Sequence, residues 1–239
     1  MKRTILAALC VLALAACGDR EAEQRAAAQA QAAAQEQAAT ALAREYDSAI
    51  TAQNWDLARV HGAALLSQYP ESQAAQAMQA GYEGIKAKGE AVRERRRLQG
   101  LWHYSQSPQL KGGIQRSASL YGRNRVDLEG RGETQVQLVL RDHPEWKRSA
   151  YLVLQASDFR CKGGCKVTVT ADGKPQSMDA WRPDTDEAIA MFITDHKALW
   201  KLLRKSEVVE IEFPVKAGGT RKVTFDTAGL DESQLPGWN

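Results

Sequence analysis

The side chains best suited to moving protons near neutral pH are four histidines, His61, His103, His143 and His196. His61 falls in a helical pattern, His103 in a strand pattern and His196 near a helix start. His143 sits in Asp142-His143-Pro144-Glu145-Trp146, a polar loop between two strand patterns. A catalytic histidine there needs a nucleophile, and the chain has no Gly-x-Ser-x-Gly or equivalent. It also has no phosphate-cradling loop and no dinucleotide-binding glycine fingerprint. Asp184, Asp186 and Glu187 cluster in a turn-like stretch and read as solvated acids. A basic and aromatic group is more suggestive: Trp102, Tyr104, Lys111, Arg116, Tyr121, Arg123 and Arg125, interleaved with glycines. Strand alternation places some of these on one sheet face. Such a face could bind a polymer or the edge of a protein.

The elements that must position these residues fall into two halves. From 22 to 43 the chain is mostly Ala and Gln, both strong helix formers, with almost no large apolar side chain to bury. It reads as a semi-rigid helical spacer about 33 Å long. A helical hairpin follows, with Asn54 as N-cap and Pro70 as stop, and then a third helix from about Ser72 to Leu98. Tyr46, Trp55 and Tyr69 are its aromatic closure. Arg93, Arg95, Arg96 and Arg97 at the end of that helix suit its dipole. At Gly100 strand signals take over. They cover 101–104, 114–121, 125–128, 134–140, 150–155, 166–170, 176–181, 188–193, 208–213 and 221–225, with Asp172-Gly173 as a hairpin turn. Leu199, Leu202 and Leu203 share one face of a single late helix. The expected class is α+β: an N-terminal α-helical spacer and helical hairpin followed by a β-sandwich-like domain or open barrel with one late helix.

Length and charge bound the rest. The chain has 239 residues and a net charge of +3, to which Lys2 and Arg3 contribute two. This balance does not argue for nucleic acid. Lys2 and Arg3 precede an apolar run, 4–16, too short for the roughly 20 residues that span a bilayer. A charged start, a short apolar core and small residues at its end describe a secretory signal peptide. Leu14-Ala15-Ala16-Cys17 resembles the lipobox of bacterial lipoproteins. The resemblance implies cleavage after Ala16 and a covalent diacylglycerol and N-acyl anchor on Cys17, with no other cofactor. Three acyl chains would hold a protein on a membrane essentially permanently. Gly18 follows the cysteine, where an Asp marks inner-membrane retention in enterobacterial lipoproteins. The resemblance therefore implies an outer-membrane protein facing the periplasm.

A secreted chain meets an oxidising compartment, so Cys161 and Cys165, in Cys-Lys-Gly-Gly-Cys, are expected to form a local disulfide. No companion cysteine or histidine pair argues for a metal, and the spacing is not Cys-x-x-Cys. The stretch with Ala58 and Pro70 twelve apart resembles one tetratricopeptide repeat, although Tyr46 stands where that repeat needs a small residue. Residues 100 to 232 resemble an uncharacterised domain of proteobacterial periplasmic proteins and lipoproteins. The resemblance rests on Phe159, Cys161, Cys165-x-Val167-x-Val169, Phe192-Ile193-x-Asp195, Leu202-Leu203-Arg204-Lys205, Val209-x-Ile211 and Phe225-Asp226-x-Ala228-Gly229-Leu230.

The expected organisation is a signal peptide (1–16), a spacer (17–43), a tetratricopeptide-like region (44–99) and a β-rich domain (100–239). The expected function is non-enzymatic: a lipid-anchored scaffold whose partners are the membrane and other envelope proteins. The alternatives are a cell-wall-acting enzyme or inhibitor, or an accessory lipoprotein of a secretion apparatus.

Overall fold

Because Ala and Gln favour helix throughout the N-terminal stretch, spacer and first hairpin helix are one continuous rod, α1 (Ile5–Thr51). The computed structural model describes residues 5–127, 132–156, 158–185 and 189–238, with side chains from Arg20 onward. Cys17 falls within the backbone of α1, and its side chain lies outside that description. The chain divides into two compact units, Met1–Arg93 and Glu94–Asn239.

In the first unit, Gln53 takes a left-handed backbone and turns the chain into α2 (Trp55–Gln68). Asn54 Oδ1 caps α2 by accepting the Leu57 N–H. Pro70 keeps the helix from continuing. Ser72 Oγ accepts the Ala75 N–H at the start of α3 (Gln73–Gln99). Two small cores hold the unit together: Tyr46, Ala49, Ala58 and Tyr82, and Ala39, Leu65 and Ala75. Gly62 is required where α2 passes the rings of Tyr82 and Tyr46, since a methyl there would overlap Tyr82. The Tyr82 hydroxyl donates to the Arg59 carbonyl at 3.0 Å. Tyr46 is core and Tyr69 is partly buried against the second cluster, whereas Trp55 is half-buried beneath the Lys88 ammonium.

The second unit is built from β1 (Trp102–Pro108), β2 (Ile114–Tyr121), β3 (Val126–Asp127), β4 (Glu133–Thr134), β5 (Val136–His143), β6 (Lys147–Leu154), β7 (Cys165–Ala171), β8 (Lys174–Trp181), β9 (Ala190–Ile193), α4 (His196–Lys205), β10 (Val208–Pro214) and β11 (Thr220–Asp226). Among the described residues, nine strands form one antiparallel sheet in the order β1-β2-β5-β6-β9-β8-β7-β10-β11, and β3 pairs with β4 in a second. Asp172 and Gly173, both at positive φ, make the tight β7–β8 turn. Alternate residues of the long strands face one shared core, along the whole of β7 and β10 and along part of β1, β2 and β8. Examples are Leu138 and Leu140 of β5, Leu152 and Leu154 of β6, Ile211 and Phe213 of β10, and Val223 and Phe225 of β11. Each such side chain contributes about 1.5–3 kcal/mol when fully buried.

The two ends of this sheet meet. Beyond β2, Arg123 N–H donates to the Thr224 carbonyl at 2.7 Å, and Thr224 N–H donates to Asn124 Oδ1 at 2.9 Å. Asn124 Nδ2 reaches the Lys222 carbonyl at 3.0 Å, and the Arg123 guanidinium pairs with Asp226. The fold is α+β as expected, helices followed by a large antiparallel sheet and one late helix, and of the two arrangements weighed for the strands, sandwich-like or open barrel, the single sheet curled onto itself is nearer the second. Period-two patterning specifies a buried face for each strand, but not whether the strands share one sheet.

One end of the roll is covered by α4, which buries Leu199, Trp200 and Leu203 in the same core. The C-terminal segment, 227–238, covers it too. Thr227 N–H donates to the Glu207 carbonyl, Asp231 N–H to the Tyr104 hydroxyl at 2.7 Å, and the Arg148 guanidinium to the Gly237 carbonyl at 2.6 Å. Leu235 and Trp238 complete the core. Before β7, Cys161 and Cys165 are joined in a disulfide, with Cα atoms 5.0 Å apart. Gly163 and Gly164 take the positive φ that so short a loop needs.

Candidate functional site

The basic and aromatic group expected to share a surface does not do so. Trp102, at 4% exposure, is a core residue. Tyr104 is half-buried on the same side, with its hydroxyl engaged by Asp231. The register sets Trp102 opposite Leu120 and Tyr104 opposite Ala118, the inward pairs of the β1–β2 hairpin. Arg116 shares that parity but lies beyond the core, opposite Gln106 and Asp142. Tyr121 falls on the outer parity and meets His103 edge to face at 6.3 Å. Arg123 is committed to Asp226 at the closing seam, Arg125 is exposed, and Lys111 pairs with Glu145 at 3.1 Å. Closeness in sequence put these residues together, and strand parity separates them.

An aromatic and basic face does exist, on the outer side of β5, β6, β9 and β8. Tyr151 lies opposite Phe192, and Phe192 opposite Trp181. Their rings form a ladder, with centroids 4.9 Å and 4.8 Å apart, the second pair stacked within 16°. The Arg141 guanidinium sits 5.3 Å from the ring centres of both Tyr151 and Trp146. Trp146 stacks on His143 at 4.1 Å. Trp146 is 65% exposed and Trp181 46%, two large aromatics open to solvent on one face. A groove of about 340 Å³ runs between Arg141, Trp146, Trp181 and Phe192 to Arg148 and His196. Burial pushes the Tyr151 hydroxyl pKa up, with Arg141 opposing.

The histidines divide by role. His143 is buried in the β5–β6 turn, where its Nδ1 accepts the N–H groups of Glu145 and Trp146 at 3.1 and 3.2 Å. It organises a turn, and Lys147 beside it takes a positive φ. His61 pairs with Glu45 at 3.3 Å in the helical unit. His196 starts α4 and packs edge-on against Trp238 at 5.7 Å. Burial, and next the nearby Arg148, hold the His196 imidazole below the usual histidine range. Asp184 is exposed, and Asp186 and Glu187 lie outside the described residues. Among the described residues no group of three or more His, Cys, Asp or Glu could hold a metal ion, and no helix is long and apolar enough to cross a membrane.

The site that sequence reasoning missed has one legible signal. Arg141, Tyr151, Trp181 and Phe192 all occupy the outward parity of strands whose inward parity is already apolar. Large aromatics on that parity mark a face with something to do besides fill a core. Compared with family models, with curated proteins and with solved structures, the chain matches none.

Proposed function

We propose that this protein is a lipid-anchored component of a bacterial cell envelope, held by Cys17 at the outer membrane and facing the periplasm, which binds other envelope proteins rather than transforming a substrate. The observation that carries the reading is the exposed Trp146–Trp181 face with Arg141 at its centre. Trp, Tyr and Arg dominate the energetics of protein interfaces. Here Arg141, Tyr151 and Trp181 stand on paired strands and Trp146 on the short β5–β6 turn, stacked on His143, so little conformational freedom remains to be lost on binding. The anchor rests on Leu14-Ala15-Ala16-Cys17.

Two measurements test this. Cys17→Ser should move the protein from the detergent to the aqueous phase in a phase-separation assay, and unchanged partitioning would remove the anchor. A photo-crosslinking residue at position 181 in intact envelopes should trap a discrete partner, lost when Trp146 is replaced by Ala. A face that crosslinks nothing specific would refute the binding role.

A further inference from the structure

The groove beside the aromatic face continues past Arg148 and His196 into a second concavity of about 340 Å³ between β6, α4 and the C-terminal turn. Four cations line it, Arg148, Lys197, Lys201 and Arg204, together with Trp200 and Trp238, and no acid does. Lys197, Lys201 and Arg204 recur at helical spacing, so α4 presents them along one side. The nearest acids stand at the margin: Glu232 holds Arg204 at 2.8 Å, Asp195 caps α4, and Asp142 faces Arg148 across the strand pair. The concavity therefore keeps an excess of positive charge.

A second observation is independent of charge. Trp200 and Trp238 are nine-tenths or more buried, and the indole Nε1–H of each has no acceptor among the described residues. Both rings line the concavity, so they report on what enters it, although their Nε1 atoms are closed to solvent.

Resting on the binding-module reading above, we infer that this concavity receives a carboxylate-rich, extended peptide segment of a partner protein, whose remainder lies along the aromatic face. Carboxylates suit the guanidinium and ammonium groups that line the concavity. A peptide is favoured over an acidic glycan because the concavity is continuous with the Trp, Tyr and Arg face on which the binding-module reading rests. Trp146 carries His143 and Arg141, Tyr151 carries Arg141 and Phe192, and Phe192 also carries Trp181.

The test uses the full chain with two uniform probes, a blocked oligoglutamate peptide and an oligo-alginate of matched charge, followed by ¹⁵N–¹H spectra of the indoles. Oligoglutamate should bind saturably and shift the Trp200 and Trp238 indole signals. The Trp102 indole, also without an acceptor but in the strand core, should stay still. Lys197→Gln with Lys201→Gln, both at exposed positions, should weaken binding about tenfold or more, as should raising salt from about 0.05 M to about 0.5 M. Absence of saturable binding, indifference to the two lysines, or alginate binding as tightly as the peptide would each overturn the inference. The two readings also fail separately. If the position-181 crosslink persists undiminished in the double lysine variant, the acidic-segment inference falls and the binding role stands. If the unaltered chain traps no partner, the binding role falls.

Discussion

Replacing Gly122 with alanine tests whether the sheet closes on itself. Gly122 lies just past β2, and its φ is not positive, so its backbone is open to any residue. On conformational grounds alone Gly→Ala should then stabilise by about 0.4–1 kcal/mol, by restricting the unfolded chain. The rolled geometry forbids that gain. A Cβ at 122 would fall well inside 3.0 Å of Val223 Cγ1, on the strand that closes the roll. Val223 is fully buried, packed within the core of the sheet. Overpacking of this kind costs about 1–3 kcal/mol, so the net effect should be a loss of about 1–2 kcal/mol. Val223→Ala alone removes two carbons and should cost about 1.6 kcal/mol or more at ~0.8 kcal/mol per buried CH₂. Combined, the new methyl occupies the vacated volume, and the pair should cost less than the sum by about 1 kcal/mol or more. Urea unfolding followed through the buried tryptophans Trp102, Trp200 and Trp238 gives all three values. Additive costs, or a more stable Gly122→Ala, would show that 122–124 and β11 do not meet as described.

Three further outcomes follow from particular contacts. Converting Cys161 and Cys165 together to Ser should lower stability by about 2 kcal/mol, the chain-entropy value for so short a loop; thiol labelling of unfolded, unreduced protein should find both sulfurs blocked, and free reaction would remove the bridge. His196 binds its proton at lower pH when folded than when unfolded, because burial and Arg148 disfavour the imidazolium. Between the two values the unfolded chain holds more protons, so stability should fall as pH drops from about 7 toward about 5, and His196→Gln should flatten that slope in a series of denaturation curves. His143→Ala leaves the Glu145 and Trp146 N–H groups without their acceptor and takes away the ring beneath Trp146. It should cost about 1–2 kcal/mol, and a neutral result would place the turn's stability elsewhere.

What the residues disclosed and what they hid have physical causes. Local signals were readable. Asn54 and Pro70 bracket α2, Asp172-Gly173 makes the β7–β8 turn, and alternation marks β5, β6, β7, β10 and β11. The helical face of α4 was read from Leu199, Leu202 and Leu203; Trp200 is buried on it instead of Leu202, which is half-exposed. Long-range arrangement was not readable. The strand order places β9, β8 and β7 between β6 and β10, and no short window of sequence encodes that insertion. Tyr82 closes the helical unit's core from α3, a helix weakened by Gly81 and Gly84 and distant in sequence from Tyr46. The aromatic face draws Tyr151, Trp181 and Phe192 from three strands, so their nearness exists only once the register is set. Trp102 and Tyr104 misled for the converse reason: they are neighbours in the chain whose strand turns them inward.

The seam that joins Asn124 to Thr224 brings together groups one hundred positions apart. A ribosome must therefore deliver nearly the entire C-terminal half before the far ribbon arrives to shut the cylinder, and until then hydrogen-bonding borders stay bare. Topologies of this kind form slowly and invite association with stray strands meanwhile. Any chaperone that holds the chain before it folds would have to keep those borders apart until Thr224 can reach Asn124.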